Sequence, residues 1–203
     1  MPSSRNACSF WKGIAPMENR LFEVLQQVVG FLQRQGIPFV IVGGLANIVW
    51  GEPRVTRDVD VKVYIGERTP RQFAEMVTRE FAPAQLLPGG PDLIVSIAFP
   101  SGVNVDFLIA IPGYEEIVLE RAQRRHLAGL DLPICSAEDL IIYKVIADRP
   151  KDWADIEGIL TEQGNRLDQA YIRDWLRQFA EVLERPDWLE RYDALVRKIV
   201  GEP

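Results

Sequence analysis

Apolar residues recur at steps of three and four from Met17: Leu21, Val24, Leu25, Val28 and Leu32 fall on one face until Gly36 and Pro38 stop the run, so the spacing predicts an amphipathic helix over 17–35. A short apolar strand over 38–42 follows, broken by Gly43 and Gly44, and 45–50 has length for about two helical turns before Gly51 and Pro53. Val59, Val61, Val63 and Ile65 then alternate with Asp58, Asp60, Lys62 and Tyr64, which predicts a strand with one apolar and one polar face. A helix is predicted over 69–81 and a strand over 93–99, closed by Pro100, Ser101 and Gly102. Val103, Val105, Phe107 and Ile109 alternate with Asn104 and Asp106 as its hairpin partner.

Beyond a connecting region the period becomes helical. Ser136 with Asp139 three residues on resembles a capping box opening a helix that ends at Ala147. Pro150 starts another, stopped by Gly164, and amphipathic segments over 167–183 and 186–200 complete the chain. No internal repeat interrupts this order. The expected organisation is a loose tail over 1–16, a mixed α/β part over 17–134, and an all-helical part over 135–203.

Composition narrows the class. With 203 residues, 47% hydrophobic, the chain is long enough for one good core. Cys8 and Cys135 are far apart and form no Cys-x-x-Cys pair, so neither a disulfide framework nor a thiolate zinc site is indicated, which suits a reducing cytoplasm. The longest near-apolar run, 39–50, is too short to span a bilayer, and the first residues lack the apolar centre of a signal peptide. Net charge of -6 argues against a large nucleic-acid footprint. The densest basic cluster, Arg121, Arg124 and Arg125 with His126, reads as the end of a short helix and most simply as a solvated face. His126 is the only histidine, which removes histidine-rich metal sites and leaves any serine or cysteine triad resting on one surface residue.

The polar face of the 58–65 strand raises a chemical question. Asp58 and Asp60 point the same way, about 7 Å apart along the strand. Two unpaired carboxylates that close resist ionising together, and a divalent cation removes that cost. If the strand bearing Asp106 is adjacent, three carboxylates converge as hard oxygen ligands suited to Mg²⁺ or Mn²⁺. The plainer alternatives are that Asp58 caps a turn and that Asp60 pairs with Lys62 or Arg57. A calcium loop counted from Asp58 fails, because Val63 and Thr69 occupy its glycine and glutamate positions. Gly43-Gly44 at a strand end lets backbone N–H groups approach an anion, although neither Gly-x-Gly-x-x-Gly nor a Gly-Lys-Ser/Thr loop is present.

Taken together, Gly43-Gly44, Arg54-x-Thr56-x-Asp58-x-Asp60 and the later Asp106 resemble the nucleotidyltransferase superfamily with the polymerase-β-like fold. Within it, the AbiEii-type branch of toxin–antitoxin and abortive-infection systems is nearest. The run SAEDLIIYKVIADRPKDWADI supplies that branch's later lysine as Lys144 and its basic-Asp-x-x-Asp element as Lys151, Asp152 and Asp155. The chain departs from the family in having Leu45 where Ser or Thr often follows the glycines and Lys151 where Arg is common. The helices after Gly164 match no motif of the family.

The resemblance implies a mixed sheet flanked by helices, with a C-terminal helical bundle completing the cleft. It implies a nucleoside triphosphate, ATP among the candidates, on Gly43, Gly44, Arg54, Thr56, Lys144 and Asp155. It further implies Mg²⁺ or Mn²⁺ on Asp58, Asp60 and Asp106, and an acceptor hydroxyl deprotonated near Asp106. Lys144, on an otherwise apolar helix, either reaches the triphosphate or snorkels to water. The acceptor is a small molecule, as for antibiotic adenylyltransferases, or RNA or a protein, as for toxins that are held by an antitoxin partner. A catalytically silent nucleotide-binding or antitoxin module is the rival from another class.

Overall fold

The computed structural model describes residues 16–88, 93–127 and 129–201. The expected tail over 1–16 and Cys8 lie almost wholly outside them. The first helix, α1 (Pro16–Arg34), leads through β1 (Phe39–Ile41) and α2 (Gly43–Trp50) to β2 (Asp58–Val63). Next come α3 (Pro70–Glu80), β3 (Gln85–Leu86), β4 (Ile94–Ala98), β5 (Asn104–Ile109), α4 (Tyr114–Glu120), β6 (Gln123–Leu127) and β7 (Leu130–Ile134). Four helices close the chain: α5 (Ala137–Ala147), α6 (Pro150–Gln163), α7 (Gln169–Val182) and α8 (Asp187–Ile199).

The strands form one seven-stranded mixed sheet in the order β3-β4-β5-β2-β1-β7-β6. β2 sits centrally, antiparallel to β1 and parallel to β5, while β4 is the hairpin partner of β5. Val59, Val61, Val63, Val105 and Phe107 are buried on the apolar face of this centre, which also takes Leu25, Val28 and Leu32 from α1 and Phe73 and Val77 from α3 into one core. Thr69 caps α3 in a reciprocal pair with Gln72, and Ser136 caps α5 by accepting from Asp139 N–H.

The 121–126 cluster lies largely on a strand and not on a helix. It is not a helix end: α4 stops at Glu120, and Gln123–Leu127 is an edge strand hairpinned to β7. Its side chains alternate, with Arg124 and His126 exposed and Arg125 stacked 4.7 Å over the Trp50 ring. Aromatic cover does here what an aliphatic residue does elsewhere, so the strand shows no apolar period. In β7, Pro133 is a residue that argues against an inner strand.

Bare backbone brings two distant segments together. A Cβ at Gly51 would lie 3.0 Å from Ile159 Cγ1, and one at Gly158 would lie 3.1 Å from the Glu52 nitrogen, so the loop before β2 rests directly on α6. Gln163 Nε2 donates to Trp50 O at 2.7 Å across the same seam.

Candidate active site

The first wall of the site is the polar face of β2 and β5. Their parallel register sets Asp60 beside Asp106 and Asp58 beside Asn104, so the three aspartates share a face as the alternation requires. Asp58 is exposed, whereas Asp60 and Asp106 are half-buried. Burial is the chief influence lifting the Asp60 carboxyl above its ordinary range. The charges of Asp106 and Asp58 add to it, and the Gly44 amide and Arg149 act the other way.

The glycine turn is built around that carboxylate. Gly43 takes a left-handed φ of 60°, and a Cβ there would lie 2.0 Å from Asp60 Oδ2. At Gly44 a Cβ would lie 2.4 Å from Thr56 Oγ1. Gly44 N–H donates to Asp60 Oδ2 at 3.3 Å. Both glycines are therefore required by the approach of Asp60 and Thr56, and one of the two amides already serves a carboxylate.

Helices α5 and α6 supply the opposite wall. Lys144 does not snorkel: it is buried, with Nζ 2.5 Å from Asp155 Oδ2 and 3.8 Å from Asp152 Oδ1. Arg54, from the loop before β2, grips the same carboxylate through Nε to Oδ1 at 2.7 Å and Nη2 to Oδ2 at 2.9 Å. Burial pushes the Asp155 carboxyl up most strongly of any one influence, but hydrogen bonds from Arg54 and Lys144 together hold it below its ordinary value. Asp155 thus stands behind the site as the anchor of two cations.

A cleft of about 570 Å³ separates the walls, lined by Gly43, Gly44, Arg54, Thr56, Asp58, Asp60, Asp106 and Lys144. All the sequence-predicted site residues except Asp155 face it. Three further residues were not singled out. Arg149 lines the cleft and grips Asp152 through Nε at 2.5 Å, two residues before Lys151, the basic residue of the expected basic-Asp-x-x-Asp element. Its position at the N-cap of α6 in the run Asp148-Arg149-Pro150 was the available signal. Lys62, placed by the alternation on the polar face of the strand, is buried, ion-paired with Glu115, and 5.0 Å from the centre of the Tyr143 ring. Tyr143 lines the cleft beside it.

Neither alternative partner of Asp60 is found, because Lys62 takes Glu115 and Arg57 makes no ion pair among the described residues. No group of three or more His, Cys, Asp or Glu side chains among the described residues is arranged as it stands to hold a metal ion. The donor chemistry nonetheless fits a hard cation, since Asp60 carries the repulsion of two neighbouring carboxylates that a cation would offset. No helix of the described residues is long and apolar enough to cross a membrane.

Comparison with known proteins follows the same lines. The profile of a family described as "Nucleotidyl transferase of unknown function (DUF2204)" matches residues 21–187. Among solved structures, the chain is similar to the antibiotic-resistance factor ANT(2'')-Ia in solution, at 17% identity over 82% of this chain and 96% of that one, with a TM-score of 0.59. ANT(2'')-Ia in complex with adenylyl-2''-tobramycin gives 17% identity, 78% and 98% coverage, and a TM-score of 0.56. A lincomycin-bound lincosamide antibiotic adenylyltransferase, LnuA, gives 13%, 70%, 95% and 0.50. Comparison with curated proteins finds no match. These identities carry the shared fold and nothing of the acceptor.

Proposed function

The chain belongs to this nucleotidyl transferase family, and from that premise we propose that it transfers a nucleoside monophosphate from a nucleoside triphosphate to a hydroxyl group with the help of a divalent cation. The observation that carries the reading is one cleft with Asp58, Asp60 and Asp106 on the sheet wall and Lys144, Arg149 and Lys151 around Asp152 on the helical wall. Arg149, Lys151 and Lys144 line the side where a triphosphate would find counter-charge, close to the Gly43 turn. Asp58, Asp60 and Asp106 would hold Mg²⁺ or Mn²⁺, which when bound screens the phosphate oxygens. The acceptor oxygen bonds to the α-phosphorus, the bond to the bridging oxygen breaks, and pyrophosphate leaves with the electron pair. The hydroxyl proton passes to Asp106. Charge spreads over oxygens in this transfer, so fixed cations supply most of the stabilisation. Residues 17–134 act as the transferase core, and 135–203 complete its cleft.

The toxin-type role implied by the Arg54-to-Asp60 motif, with an RNA or protein acceptor and an antitoxin partner, is the finer form of this reading. Arg121 and Arg125 give the RNA acceptor little support: Arg121 is committed to Asp139 and the Tyr171 ring, and Arg125 to Gln123 and Trp50. The test is incubation of the full chain with each labelled triphosphate and Mg²⁺, in the presence of total RNA or a small-metabolite extract. Labelled product that disappears with Asp60→Asn is expected. Absence of triphosphate binding would refute the reading.

A further inference from the structure

Beyond the ion-paired cleft lies a second cavity, of about 470 Å³, between the β5–α4 connection, α5 and α7. Its wall is Ile111, Tyr114, Tyr143, Trp175, Phe179 and Val182. Tyr114 anchors an aromatic cluster there, with ring centres 4.6 Å from Trp175, 5.2 Å from Phe179 and 5.8 Å from Tyr143. Such a cluster ordinarily closes a core, yet here it leaves a space of ligand size. The rim is apolar as well, with Ile111 47% and Val182 78% exposed.

The two cavities share a wall. Tyr143 lines both, and the Lys62–Glu115 ion pair stands at the same partition, Lys62 facing the first cavity and Glu115 the second. Along the β2–β5 face the order is Asp58, Asp60 beside Asp106, then Lys62 beside Leu108, so the partition lies one strand step past the carboxylates. The Tyr143 hydroxyl at this wall is buried and makes no hydrogen bond among the described residues. An unmet buried hydroxyl is costly, and a polar group on a bound molecule would relieve it.

We propose that the second cavity holds the body of the acceptor, and that this acceptor is a neutral small molecule with an apolar or aromatic frame and a free hydroxyl; this rests on the transferase reading. Charge decides the class. The one carboxylate of the cavity, Glu115, is already occupied by Lys62 and by the Ile111 N–H at 2.7 Å, so a polycationic sugar finds no counter-charge. No Lys or Arg lines the cavity, so a polyphosphate chain finds none either. For this the Tyr143 ring must turn out of the partition, so that its hydroxyl meets the guest and the guest's own hydroxyl comes beside Asp106, bonds to the α-phosphorus as pyrophosphate departs, and gives its proton to Asp106.

The test uses 2-(2-naphthyl)ethanol as the neutral probe and kanamycin as the cationic one, each titrated calorimetrically into the full chain, with labelled ATP titrated separately. The naphthyl alcohol should bind, kanamycin should not, and ATP with Mg²⁺ should yield the AMP ester of the alcohol by mass spectrometry. Ile111→Asp and Val182→Asp sit on the exposed rim and should leave thermal unfolding and ATP binding unchanged, while weakening the alcohol by about tenfold or more through the cost of a carboxylate beside an apolar guest. Alcohol binding that ignores both substitutions, or a preference for kanamycin, would overturn the proposal. Equal weakening of ATP would also overturn it by giving the cavity to the nucleobase. A chain that binds no ATP at all would instead refute the transferase reading beneath it.

Discussion

Asp155→Ala should be among the most destabilising single substitutions near the cleft, although the residue does not line it. It removes a carboxylate that holds Lys144 at 2.5 Å and Arg54 through two bonds, leaving Lys144, 5% exposed, with Asp152 at 3.8 Å. Stripping one partner from a buried ion pair costs about 3–5 kcal/mol. The Arg54 side chain is 38% exposed and returns to water, so its share is that of a surface pair, about 0–1 kcal/mol. With Asp152 still near Lys144, the lower end applies, about 3 kcal/mol. In a chain of this size that lowers the thermal midpoint by about 6–12 °C and the urea midpoint by about 1 M or more. The sign with pH follows from the depressed Asp155 carboxyl: its contribution is complete above the unfolded value of 3.8 and is lost as pH falls through the lower folded value. The substitution should therefore flatten the acid limb of the stability curve. Urea unfolding of both proteins across the acid range measures both effects. A loss below about 1 kcal/mol, the worth of an exposed pair, would refute the claim that this network is held by burial.

Three further outcomes are expected. Asp60→Asn should abolish nucleotide transfer while leaving the metal-free protein as stable or more stable at neutral pH. The raised Asp60 carboxyl makes the native state lose stability as pH rises from 3.8 through its folded value, and denaturation at several pH values should show that slope vanish. Gly43→Ala should cost about 1–2 kcal/mol for the left-handed backbone alone and more for a Cβ 2.0 Å from Asp60 Oδ2, read by thermal unfolding and by lost transfer. Arg121→Gln should destabilise by about 1–3 kcal/mol, because the buried Asp139 loses its cationic partner, without changing triphosphate affinity in a titration.

Periodicity revealed α1, α3, β2, β5 and the four closing helices because each buries one face against a continuous core, and burial is what writes a period into sequence. The carboxylate triad was legible for the same reason: the alternation that buries Val59 and Val61 forces Asp58 and Asp60 to the opposite face. β6 was not legible, since Arg125 meets Trp50 as a cation over a ring and Arg124 meets solvent, so neither supplies an apolar beat. Lys62 was missed because its partner lies across the fold, Glu115 from α4; Arg149 pairs locally with Asp152, and what the sequence does not display is that Lys144 from α5 approaches the same carboxylate. The second cavity was invisible because its aromatic residues occupy ordinary helical positions, and only the packing of α7 shows that they leave space.

The glycine seam between the loop before β2 and α6 sets how the protein can admit a substrate. Where Gly51 meets the Ile159 side chain and Gly158 meets the Glu52 backbone, neither glycine has a side chain of its own to reorient, and the two segments lie in close contact. The strand bearing Asp58 and the helix bearing Asp155 are consequently one piece of masonry. The cleft is therefore expected to keep its width when a nucleotide enters, with Arg57 and Lys151, the lining cations that make no ion pair among the described residues, to draw it in.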